Sequence, residues 1–83
     1  MNVVFIKHVG CNKPYMFEVP NSISLKEGDD VVVQVASGET TGTCISDSFE
    51  LDGSPLAVVA KRFGASIPLR PVVGKVCVVR FNG

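Results

Sequence analysis

The sequence predicts a mainly β protein, a small barrel with one short helix before its last strand. Three observations carry that expectation. Runs of β-branched and apolar residues recur along the chain, as Val3-Val4-Phe5-Ile6, Val31-Val32-Val33 and Val76-Cys77-Val78-Val79. Turn-forming residues separate them, with eight Gly and five Pro in 83 residues. One stretch, Ser54 to Gly64, carries helical periodicity with punctuation at both ends.

Asn2 to Val9 reads as the first strand. Its apolar run is continuous rather than alternating, which predicts burial on both faces or a place in a closed barrel. Gly10 to Pro14 is a loop. Tyr15 to Val19 is a short second strand with Tyr15, Phe17 and Val19 on one side and Met16 and Glu18 on the other. Leu25 to Ser46 then reads as one hairpin with its entry turn. Lys26 to Asp30 is a polar turn centred on Gly28, Val31 to Val35 is one strand, and Ser37-Gly38 offers a tight turn. Thr40, Thr41, Thr43 and Ile45 supply the return strand. Gly42 lies inside it, where a glycine marks a bulge, a bend or a close approach by another backbone.

The helix is predicted over about residues 54–63. Ser54 is placed as its N-cap, Pro55 at its first position, and Gly64 at the left-handed position after its end. Leu56, Val59, Ala60 and Phe63 form one apolar stripe, and Lys61 and Arg62 complement the dipole in the last turn. Ala65 to Pro71 is extended, because Pro68 and Pro71 exclude helix. Val72 to Phe81 is the last strand. The order is β-β-β-β-α-β in a single domain, residues 1–83, of the SH3-like or OB-like barrel type. Pairing the two terminal strands would close the barrel and remove its edges. An open sheet with the helix on one face is the alternative.

The pattern Tyr15-x-Phe17-x-Val19-Pro20, then Leu25-Lys26-x-Gly28-Asp29-x-Val31-x-Val33, then Gly38 and Gly42, resembles the opening of two small barrel modules. One is the N-terminal DNA-end-binding domain of the primosomal helicase PriA; the other is the PSP1-type domain. The resemblance covers residues 15–45, and Met16 stands where the first pattern carries an acid. What it implies is the fold.

Composition narrows the function. Eight basic and eight acidic side chains give a formal net charge of zero, which argues against strong non-specific attraction to nucleic acid or an anionic membrane. The charge is unevenly spread: residues 1–50 hold three Lys against seven acids, and residues 51–83 hold five cations against Asp52 alone. Cys11, Cys44 and Cys77 are odd in number and lack CxxC spacing, so neither a zinc site nor a redox pair is expected. Three thiols without a signal peptide suit the cytoplasm, and no apolar run approaches the roughly 20 residues of a membrane span.

His8, the single histidine, reads as a surface or satisfied strand residue, and Asp29-Asp30 as a solvated turn. No phosphate loop or metal-ligand cluster stands out, and no small-molecule substrate, cofactor or catalytic residue is expected. The sequence therefore points to a non-catalytic binding or interaction module. Nucleic acid is the first partner class, through Lys61, Arg62, Arg70, Lys75 and Arg80 on phosphates and Tyr15 on a base. The alternative is a structural or protein-interaction subunit that self-associates or docks in a larger assembly.

Overall fold

The computed structural model describes residues 1–65 and 68–76. Six strands and one helix follow one another: β1 (Asn2–His8), β2 (Pro14–Val19), β3 (Asp30–Val35), β4 (Gly38–Cys44), β5 (Phe49–Glu50), α1 (Gly53–Arg62) and β6 (Val72–Lys75). The sheet is antiparallel with order β2-β1-β4-β3-β6, and β5 pairs with β1. It curls into a half-barrel, so the fold is mainly β with one helix.

Strand alternation explains the continuous apolar runs. Val4 and Ile6 of β1 face the concave side, where they meet Phe17, Val19, Leu25, Val31, Val33, Cys44 and Val72. Val3 and Phe5 face the convex side, where Val3 joins Met16, Leu56, Ala60 and Leu69 and Phe5 packs against that group. The first strand is thus buried on both faces, one against the sheet's interior and one against α1.

Gly42 pairs with His8 on one side and Val31 on the other. A Cβ there would overlap Ile6 Cγ2 and stand 3.2 Å from the Lys7 carbonyl oxygen. The interior glycine therefore marks a close approach of β1 to β4. In the hairpin, Val35 faces Gly38, whose φ of 128° lets Ala36 and Ser37 reverse the chain.

The edge of the half-barrel is spanned by the segment before β6. The Glu18 N–H donates to the Arg70 carbonyl at 3.0 Å, and the Gln34 N–H donates to the Pro71 carbonyl at 3.0 Å. Arg70-Pro71 thereby links β2 to β3. The expected pairing of the terminal strands with each other is not the one made among the described residues. Both sides of β1 are taken, by β2 and by β4 and β5, so β6 adds to β3 instead. The part of the last strand predicted beyond Val76, with Cys77 and Arg80, lies outside the described residues.

The helix end follows the sequence closely and its start does not. Gly64 has φ 70°, its N–H donates to the Lys61 carbonyl at 3.2 Å, and the Ala65 N–H donates to the Ala60 carbonyl at 2.8 Å. This pair of bonds is the Schellman arrangement. At the start, Asp52 rather than Ser54 occupies the N-cap, in extended geometry and without a side-chain cap bond. Gly53 at φ 63° makes the sharp entry that moves the cap two residues upstream, from Ser54 to Asp52, so Ser54 and Pro55 both fall in the first turn. Among the described residues no helix is long and apolar enough to cross a membrane.

Candidate functional site

The same alternation that builds the core leaves a cleft at one end of the half-barrel. The concave face of β1 runs Val4, Ile6, His8, and that of β2 runs Val19, Phe17, Tyr15, with Val4 opposite Phe17 and Ile6 opposite Tyr15. Buried aliphatic residues thus give way to His8 and Tyr15 where the sheet opens. The two rings lie 5.5 Å apart, and His8 meets Phe17 edge-on at 5.8 Å. Val35, the last residue of β3, completes this wall. Gly64, Ala65, Pro68, Leu69 and Arg70, with Met16 from the other face of β2, extend the lining of a cleft of about 530 Å³ that runs past the edge of β2.

Two cations stand at the cleft. Arg70 lines it and is exposed. Lys13 holds its Nζ 5.6 Å from the centre of the Tyr15 ring, and 3.5 Å from where a Cβ on Gly64 would stand. His8 Nδ1 lies 3.3 Å from the Thr41 carbonyl oxygen. A carbonyl only accepts, so Nδ1 is the donor in this contact. Cys11 also lines the cleft; its N–H donates to the His8 carbonyl at 3.1 Å, closing the turn through Gly10. The site therefore combines an apolar, aromatic interior with positive charge at its rim.

The residues predicted to touch nucleic acid are distributed unevenly. Tyr15 and Arg70 share the cleft. Lys61 and Arg62 are exposed in the last turn of α1, just before Gly64, and do not line it. Lys75 lies elsewhere: its Nζ is 3.2 Å from Asp29 Oδ2, beside the turn that enters β3. Arg80 lies outside the described residues. Of the described C-terminal cations Arg70 alone lines the cleft, and a cation from the acidic half, Lys13, stands 5.6 Å from the centre of the Tyr15 ring. Lys13 and His8 were not read as cleft residues from the sequence, although strand parity carries a signal for both. Lys13 shares strand parity with Tyr15 and Phe17, and His8 shares it with Val4 and Ile6.

Two ionisable groups outside the cleft, Asp29 and Cys44, are perturbed for structural reasons. The Asp29 carboxylate accepts the Lys26 N–H at 2.9 Å and faces Lys75, and these bonds hold its pKa below the ordinary 3.8. Burial, with smaller contributions from Asp29 and Asp30, pushes the Cys44 thiol up to about 11. Among the described residues no three His, Cys, Asp or Glu side chains are grouped as metal ligands would be.

The fold and the cleft define a class: a mainly β half-barrel with a helix packed on its convex face and an aromatic, basic-rimmed cleft at its mouth. Comparison with known proteins found no matching family model, no matching curated protein and no matching solved structure.

Proposed function

We propose that the chain is a non-catalytic binding module that holds single-stranded nucleic acid at this cleft. The observation that carries the reading is the meeting of Tyr15, Lys13 and Arg70 at one opening. A base brings a flat apolar face and its phosphates bring negative charge, and the cleft offers a partner for each.

Lys13 presently sits over the Tyr15 ring. A cation–π contact at an exposed site is worth about 0.5–1 kcal/mol, whereas base stacking on an aromatic ring is worth about 1–3 kcal/mol. A base that displaces the ammonium therefore gains stacking, and the released Lys13 is free to meet a phosphate. The exchange needs only side-chain rotation. Two further features fit a binder better than an enzyme. His8 commits its Nδ1 proton to the Thr41 carbonyl, and Asp29 is committed to the Lys26 N–H and Lys75. The free thiols Cys11 and Cys44 suit a reducing cytoplasm, where we place the module.

The test is binding of labelled oligonucleotides by fluorescence anisotropy at low and rising salt. The expected outcome is single-strand binding that weakens with salt and falls roughly five- to a hundredfold in Tyr15→Ala. Failure of every oligonucleotide to bind at low salt contradicts the proposal. If the chain instead sediments as a concentration-dependent oligomer, the second reading takes over, a self-associating or docking subunit. Exposed Val58 on α1 and Val73 on β6 are the observations that favour it.

A further inference from the structure

We infer that the cleft takes one unpaired nucleotide from the interior of a strand, its base against Tyr15 and the phosphates on either side of it against Lys13 and Arg70. The inference rests on the nucleic-acid reading above and specifies its footprint.

The aromatic surface sets the number of bases. Tyr15 is 38% exposed; the neighbouring His8 ring is half-buried and held at the Thr41 carbonyl, and among the described residues Phe5, Phe17, Phe49 and Phe63 are buried or half-buried in the two cores. A protein that tracks along a strand offers successive bases successive rings, and one ring serves one base. The cleft volume of about 530 Å³ falls within the roughly 300–1,000 Å³ of sites for single small molecules.

The cations set the number of phosphates and the place of the base between them. Lys13 immediately precedes β2, while Arg70 lies beside Glu18, near the strand's other end. Five residues of extended backbone, ~16 Å, separate these two positions with Tyr15 between them, so the long Lys13 and Arg70 side chains must reach inward over the cleft to meet the more closely spaced phosphates of one nucleotide. Cations at both ends of the cleft suit a nucleotide with a phosphate on each side, whereas a chain end presents one. Among the described strand residues the cations beyond them are turned away or paired: Lys7 lies on the face of β1 opposite His8. The hairpin tip next to Val35 carries Glu39, and Lys75 is paired with Asp29.

Salt dependence and strand length read this footprint directly. For single strands, log affinity falls with log salt at a slope of about −0.7 per phosphate neutralised. Two phosphates give about −1.4; five, as expected if Lys13, Lys61, Arg62, Arg70 and Lys75 all made contact, give about −3.5. The experiment is an anisotropy titration of ribo- and deoxyribo-oligonucleotides from one to twenty residues, with free or blocked ends, over a salt series.

The expected result is affinity that rises up to a nucleotide flanked by two phosphates and is then flat per available register. Blocked ends leave it unchanged, and the slope is near −1.4. Lys13→Ala and Arg70→Ala each remove about 0.7 from the slope, while Lys75→Ala leaves it unchanged. Affinity per register that climbs to ten residues or more, a slope steeper than about −3, or a requirement for a free end overturns the footprint while leaving nucleic-acid binding in place. Absence of binding at every length overturns both. Circular dichroism of each variant separates lost contact from lost fold.

Discussion

Gly42 shows how one residue fixes the approach of two strands. Any side chain there must displace Ile6, which is fully buried in the concave core. Overpacking of this kind costs about 1–3 kcal/mol, so Gly42→Ala lowers the unfolding free energy by that amount in chemical denaturation. Asp29 has a different signature. Its folded pKa lies below the ordinary 3.8, so the unfolded chain binds the proton more readily than the folded one. The stability it contributes is fully present above 3.8 and is lost as pH falls through the lower folded value. Asp29→Asn therefore removes part of the acid-side decline of the denaturation midpoint and leaves its neutral-to-basic dependence unchanged. The two described thiols separate as well. Cys11 is exposed, whereas Cys44 is buried with its pKa pushed up to about 11. In native protein at neutral pH, Cys11 reacts quickly with a thiol reagent and Cys44 reacts only as the chain opens; comparable rates would contradict the packing of β4 against β1.

At the scale of elements, α1 is held by a short apolar contact and a well-made end. Leu56 and Ala60 are its buried residues, and they pack on Val3, Met16 and Leu69. Leu56→Ala removes most of that contact and destabilises by about 2–5 kcal/mol, read as a lower thermal midpoint. Gly64→Ala forces a Cβ into the left-handed region at φ 70° and weakens the Schellman bonds; about 1 kcal/mol is lost. The helix, the β3–β4 hairpin and the first two strands were legible because their signals are local: a 3.6-residue stripe, a Gly-marked reversal and β-branched runs. β5 was not legible. Phe49-Glu50 is two residues long, and its pairing with Asn2 and Val3 depends on β1 lying alongside, which no local pattern encodes. The cap at Asp52 was missed because Gly53 turned the chain one residue before Ser54. Of the candidate contacts, Tyr15 and Arg70 meet because Arg70-Pro71 crosses from β2 to β3, a long-range pairing invisible along the chain. Net charge of the C-terminal third pointed to Lys75, which is tied to Asp29 instead. Lys13 was passed over because it falls in the loop from Gly10 to Pro14, in the half of the chain where acids outnumber cations.

For the molecule as a whole, Arg70-Pro71 ties the edge strand β2 to β3 where the other edge strand, β6, begins, and Arg70 lines the cleft. Closure and site are therefore one structural event. The Glu18 and Gln34 amide protons report it, since both donate to this segment at 3.0 Å. They are expected to show matching protection in hydrogen exchange, and loss of one without the other would mean that the span does not act as a unit. Because the cleft is built from the mouth of the core, a ligand bound there contacts residues already ordered by β1–β2 pairing and requires little rearrangement of the backbone. The most direct measurement is a chemical-shift map of the chain titrated with a short single-stranded oligonucleotide. Shifts concentrated at His8, Tyr15, Phe17, Gly64 and Arg70, with Asp29 and Lys75 unmoved, are the predicted result. Shifts centred on Val58 or Val73, or none at saturating oligonucleotide, would contradict the assignment of the cleft as the binding site.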